Sequence, residues 1–145
     1  MDTSAPIPET ISWLIVQVCK AHRAQAQSNL ADIGLHPGQE MFLMQLWQQD
    51  GLTQSQLAET LCVQPPTIHK MLSRMEASGL VRRETDAEDS RVSRVYLTAE
   101  ARKLRDSVDQ VWATSEAQTL RNLTTEERVL LRRLLLQVLS NLNAE

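Results

Sequence analysis

Residues 64–98 read QPPTIHKMLSRMEASGLVRRETDAEDSRVSRVYLT, and three local signals within them decide the fold. Pro65 and Pro66 are tolerated only in the first turn of a helix, where a missing N–H has no intrahelical partner to lose. Ile68, Met71, Leu72 and Met75 then recur at helical spacing as one apolar stripe, and Gly79 stands where a helix C-terminal cap belongs. After Gly79 the period changes to two. Val81, Arg83 and Thr85 alternate with Arg82 and Glu84, and Val95 and Leu97 alternate with Arg94 and Tyr96, so two short strands flank the polar segment Asp86 to Val92 as a hairpin with a charged tip.

Working outward, Thr53 with Gln56 three residues on forms a capping box for a short preceding helix that turns Leu57, Ala58 and Leu61 inward. Two helices joined by a tight turn and followed by a charged hairpin make the order of a winged helix-turn-helix. Before it, apolar residues from Glu9 to Ile33 recur at helical spacing up to Gly34, predicting a long first helix. Pro37 suits the first turn of a second helix bearing Phe42, Leu43, Leu46 and Trp47 and ending at Gly51. After the hairpin, Thr98 caps a fifth helix carrying Ala101, Leu104, Val108 and Val111, and Thr124 with Glu127 opens a sixth. That last helix, with Leu130, Leu131, Leu134, Leu135, Leu136, Leu139 and Leu142, has more apolar circumference than one core needs, so part of it is expected to meet another chain. The expected fold is mainly α with a small β-hairpin wing. A winged helix-turn-helix occupies 36–98, and 1–35 together with 99–145 form a helical dimerisation region.

The composition agrees with one globular domain. Of 145 residues, 42% are hydrophobic and 23% charged, which excludes a disordered or collagenous chain. There is no apolar run of membrane-spanning length and no basic, apolar leader at the N-terminus, so a cytoplasmic protein is expected, with no membrane partner. Two separated cysteines, Cys19 and Cys62, and three histidines exclude a cysteine-rich zinc site, and neither metal nor cofactor is expected. The net charge of −3 conceals an uneven distribution: from Gln64 to Arg105 nine Lys and Arg face six Asp and Glu, while the rest of the chain has six against twelve. A basic middle between acidic arms suits a polyanion partner.

On a helical wheel, the face opposite Ile68, Met71, Leu72 and Met75 carries Pro66, Lys70 and Ser73, flanked by Thr67, His69 and Arg74. Those side chains supply the donors that major-groove reading uses. Gln64 precedes the helix as its expected cap and is also a candidate DNA contact. In the hairpin, Arg91 and Arg94 stand near the tip as the residue type that enters a narrow minor groove, and Asp89 is placed to hold Arg91. Arg82 and Arg83 at the hairpin base, and Ser55 on the third helix, are positioned for phosphates.

The run from Val63 through Pro65, Pro66, Thr67, Ile68, Lys70, Leu72 and Arg74, the helix exit Met75-Glu76-Ala77-Ser78-Gly79-Leu80, the Asp89-Ser90-Arg91 wing and the Leu97-Thr98 step into the next helix together resemble the MarR family of bacterial transcriptional regulators. With the long first helix and the two C-terminal helices the resemblance covers nearly the whole chain; one departure is Ala101, where many members have Gly. The resemblance implies a homodimeric repressor on a pseudo-palindromic operator in double-stranded DNA, each recognition helix in a major groove and each wing over a minor groove. It also implies a cleft for a small aromatic or anionic effector, for which Trp13, His22, His36, Trp47 and Trp112 are candidate walls. Some relatives instead sense oxidants through a cysteine near the first helix, a place that Cys19 occupies here beside Lys20 and His22. The neighbouring Leu14, Ile15 and Val18 favour a buried, inert Cys19, and Cys62 reads as core.

An enzyme would need a nucleophile with a base, or paired acids in a pocket, and no such set is visible. A dimeric winged-helix interaction module that no longer reads DNA is the other rival. It would have lost the basic residues of the recognition helix and wing, and this chain keeps them.

Overall fold

The computed structural model describes residues 6–144. A single 3-10 turn, Ile7–Glu9, leads into α1 (Ile11–Ala31), whose first turn is capped by Thr10 Oγ1 accepting from the Trp13 amide at 3.1 Å. The chain then enters α2 (Gln39–Gln48) two residues after Pro37. Pro37 lies outside the helix and Gly38, at φ 86°, is its N-cap, while Gln39 folds back so that its buried Oε1 accepts the His36 amide at 3.0 Å. Gly51, at φ 73°, redirects the chain after α2, and the Tyr96 ring lies so close that a Cβ there would meet Cε1 at 2.9 Å. Glycine is required at this position on both counts.

The helix-turn-helix follows as α3 (Gln54–Thr60) and α4 (Pro65–Ala77). Both halves of the Thr53–Gln56 capping box are formed, and Cys62 takes a left-handed φ of 53° in the turn between the helices. The wing is β2 (Val81–Thr85) and β3 (Ser93–Leu97), antiparallel with Arg83 opposite Val95 and Glu84 opposite Arg94. A third strand not foreseen from the sequence, β1 (Leu52–Thr53), pairs with the other edge of β3, giving the order β1-β3-β2. Beyond the wing, the single expected helix is broken at Leu104 into α5 (Ala99–Lys103) and α6 (Arg105–Thr119). The last helix is α7 (Thr125–Asn143), with its Thr124–Glu127 capping box formed.

One core joins these pieces. Leu43 and Leu46 of α2, Leu57 of α3, Ile68, Leu72 and Met75 of α4 and Val95 of β3 are all essentially sealed from solvent. Each such side chain contributes roughly 1.5–3 kcal/mol by leaving water, so this cluster fixes where the outer face of α4 points. α1 and α6 pack side by side, Asn29 donating to Ser115 Oγ at 3.1 Å and Gln25 to Gln118 at 2.5 Å. α7 is different in kind: none of its residues is buried, and Leu130, Leu134, Leu135, Leu136, Leu139 and Leu142 are all exposed. Leu14 and Val18 of α1 are exposed as well, and Cys19 is exposed with them. The expectation of a buried Cys19 is therefore corrected for the single chain, because the stripe meant to cover it is itself uncovered. Cys62 is corrected too: the left-handed turn turns it outward to the surface. Among the described residues no helix is long and apolar enough to cross a membrane.

Candidate nucleic-acid interface

The buried stripe of α4 leaves Pro66, Thr67, His69, Lys70 and Arg74 exposed and Ser73 half-buried on the opposite side. Gln64 is the N-cap residue, but its side chain makes no cap hydrogen bond, contrary to its expected capping role. Pro65 and Pro66 carry no N–H and the Ile68 amide is taken by the Gln64 carbonyl at 3.0 Å, so within the first turn Thr67 alone offers an unpaired amide to an anion. Ser55 is exposed in the first turn of α3.

Arg83 is not a free phosphate contact. Because Val81 points into the core, Arg83 two residues on shares its face and lies against α4. Its Nη2 donates to Ser73 Oγ at 3.0 Å and Glu76 Oε1 at 3.2 Å, its Nη1 meets His69 Nδ1 at 3.2 Å, and its amide donates to Glu76 Oε2 at 2.9 Å. The Arg83 amide, followed by its guanidinium, holds the Glu76 carboxyl below the usual carboxylate range. Arg82 points to the other face, where it stacks 4.8 Å over the Tyr96 ring and pairs with Glu84 in an ion pair open to solvent.

At the wing tip, Asp89 accepts twice from Arg91, Nε to Oδ1 at 3.1 Å and Nη2 to Oδ2 at 3.2 Å, and once from the Arg91 amide at 3.0 Å. Arg91 nonetheless remains 89% exposed, so this grip aims the guanidinium without hiding it. Arg94 behaves otherwise. Its Nε donates to Asp86 Oδ1 at 2.5 Å and its Nη1 to the Gly51 carbonyl at 2.9 Å, tying the wing to the start of β1. Arg94 keeps its expected place near the tip, opposite Glu84, but its guanidinium is engaged by Asp86 and the Gly51 carbonyl and does not stand free. Asp86 in turn accepts the amides of Glu88 and Asp89 at 3.1 and 3.0 Å, closing the tip. Its carboxyl is held low chiefly by the Arg94 side chain, and that of Asp89 chiefly by the Arg91 side chain.

Residues 35–93 match the model of the MarR family. Transcriptional regulator HosA of Escherichia coli is 32% identical over 124 residues, spanning 86% of this chain and 90% of that one. Among solved structures, the MepR–DNA complex of S. aureus superposes with a TM-score of 0.81 at 27% identity, covering 92% of this chain and 98% of that one. An E. coli MarR mutant complexed with operator DNA gives 0.82 at 24% identity, with 94% and 99% covered, a likeness of fold. The chain belongs to the MarR family. It is a DNA-binding transcriptional regulator with a mainly helical fold and a three-stranded wing, and it is not an enzyme.

In this MarR-family chain the five effector-cleft candidates do not come together. His22 and Trp112 line a small, partly open cavity of about 20 Å³ between α1, α2 and α6, with Leu30, Glu40, Val111 and Ser115. His36 is exposed in the α1–α2 loop, Trp13 lies exposed in the first turn of α1, and Trp47 anchors α2 to α5 by donating from Nε1 to the Ala101 carbonyl at 3.2 Å. Glu40, which sequence reasoning missed, is the cavity's one acid: its Oε2 is buried with no hydrogen-bond partner among the described residues, and burial pushes its carboxyl up against the pull of the Glu40 and Gly38 backbone amides. A glutamate in a helix first turn reads as a favourable dipole partner, so nothing in the sequence marked it as buried. Among the described residues no cluster of His, Cys, Asp or Glu could hold a metal ion.

Proposed function

We propose that this regulator acts as a homodimeric repressor in the cytoplasm, setting two α4 helices in successive major grooves of a pseudo-palindromic operator with each Arg91 in the flanking minor groove. The observation that carries it is the pairing of an aimed, exposed Arg91 with an α4 whose inner face is locked in the core and whose outer face offers Thr67, Lys70 and Arg74. The uncovered leucines of α7 and apolar residues of α1 supply the dimer surface. Solved relatives bound to DNA support the same arrangement.

The cavity beside Glu40 is the effector site in this reading. At about 20 Å³ it holds no more than a water, so an aromatic ligand must part α2 from α1 and α6. That wedge would alter the spacing of the two recognition helices. No Lys or Arg lines the cavity, and the unpartnered Glu40 oxygen favours a neutral or cationic hydrogen-bond donor over the anionic compounds that the family resemblance implies.

Selection of binding sequences from randomised duplexes tests the proposal. Two-fold symmetric sites with half-sites about 34–36 Å apart are expected, bound by two chains. Enrichment of an asymmetric single half-site by a monomer would overturn it.

A further inference from the structure

The Arg83 cluster joins β2 to the outer face of α4, and its chemistry sets the state of a residue on the reading face. A guanidinium is a donor only and does not lose its proton in proteins. An imidazole nitrogen 3.2 Å from Arg83 Nη1 must therefore accept, which leaves His69 Nδ1 bare and puts the ring proton on Nε2. Ser73 Oγ likewise accepts from Nη2, so its own proton is free to turn outward. Glu76 holds the guanidinium from behind with one oxygen while the other receives the Arg83 amide, so the fork is directed at α4. Only 19% of the Arg83 side chain is exposed.

We infer that Arg83 is a specificity-determining positioning residue: without touching DNA, it holds His69 as the Nε2–H tautomer on the recognition helix, so that this residue offers a single donor to an acceptor on a base edge. This deepens the proposed placement of α4 in the major groove and rests on it. A lone donor there donates to guanine N7 or O6, adenine N7 or thymine O4 and disfavours cytosine, whose edge presents the N4 amino group. Loss of Arg83 would free the ring to adopt either tautomer, and the preference would blur without loss of a phosphate contact.

Two measurements decide this. In the intact protein at neutral pH, the ring nitrogens of His69 observed by long-range ¹H–¹⁵N correlation should show the Nε2–H tautomer; an Nδ1–H ring or an imidazolium overturns the inference. In parallel, the wild type, Arg83→Lys and His69→Ala are each selected against randomised duplexes. Both variants should relax base preference at the same position of the half-site. If Arg83→Lys instead weakens every sequence alike without relaxing any base preference, Arg83 is a phosphate contact and the inference fails. An unchanged preference also overturns it. Glu76→Gln, which keeps Arg83 but loosens its anchor, is the second variant should Arg83→Lys not fold, and it should shift the same position more weakly. A wild type that enriches no sequence would sink the operator reading itself, an outcome distinct from failure of the Arg83 role.

Discussion

Arg94 and Asp86 form a closed pair within the wing, Nε to Oδ1 at 2.5 Å, while the same guanidinium reaches across the sheet to the Gly51 carbonyl at 2.9 Å. One side chain thus fastens the hairpin tip, through Asp86, to the turn that precedes β1. Arg94→Ala is expected to lower thermal stability and to speed amide exchange at Glu88 and Asp89, whose amides depend on Asp86 staying in place. If stability and exchange stay unchanged while operator binding falls, Arg94 is a DNA contact and not a strut.

The same acids make the wing sensitive to low pH. Asp86 and Asp89 have their carboxyls held low chiefly by the side chains of Arg94 and Arg91, and Glu76 chiefly by the Arg83 amide. A depressed folded-state pKa contributes stability that is fully present above the unfolded value and is lost as pH falls through the folded one. Wing order should therefore hold at neutral pH and down through the ordinary carboxylate range, then fail below it. Backbone amide shifts of residues 86–92 followed from pH 7 to strongly acid conditions would show this; a transition above pH 5 would count against it.

Much of this architecture was legible because local punctuation and tertiary packing agree. Thr53, Thr98 and Thr124 cap the helices they were expected to cap, and the stripe Ile68, Leu72 and Met75 is the one that is sealed. What escaped depends on contacts distant in sequence. The two residues of β1 become a strand only because Val95 and Arg94, some forty residues on, pair with them. The break at Leu104 carries no Gly or Pro, and the spacing of Ala101, Leu104 and Val108 runs on as if unbroken. For Arg83 the signal was present: the alternation that buries Val81 puts Arg83 on the same face, hence against α4. Arg94 gave no such hint, since its partners Asp86 and Gly51 are joined to it by turn geometry.

Arg91→Ala should weaken operator binding several-fold or more, roughly 1 kcal/mol upward, because an 89% exposed guanidinium has little to do but meet a partner. Thermal stability should hardly change. Asp89→Ala should cost less in binding, since it removes the aim and leaves the charge. Titration of a fixed duplex by fluorescence anisotropy, beside thermal melts, separates the effects; equal losses for the two variants would show that aim matters as much as charge.

Glu40→Gln tests the cavity independently of DNA. A half-buried acid whose folded pKa is raised costs stability at pH values above its unfolded value, where the unfolded chain ionises freely. The amide variant removes that cost, so its melting temperature should exceed the wild type's at pH 7, and the gap should close as the pH falls below the ordinary glutamate range. A variant less stable than wild type at both pH values would mean that the carboxylate has a partner worth more than its desolvation.

The dimer reading makes the sharpest demand on Leu135. Were this residue shared between interface and core, a charge there would unfold the chain. It is instead 53% exposed, on a helix with no buried residue, while the core of α2, α3, α4 and β3 is complete without α7. Leu135→Glu should therefore separate the chains, because a lone carboxylate is costly to enclose between apolar helices, yet leave the winged body folded. Sedimentation at micromolar concentration should give twice the chain mass for the wild type and once for the variant, with wing amide shifts retained. Operator affinity should fall on the order of 10²-fold or more, since the second half-site would no longer be presented at high effective concentration by the first. A variant that stays dimeric would move the interface off α7, and one that unfolds would show that α7 and the body are stable only together.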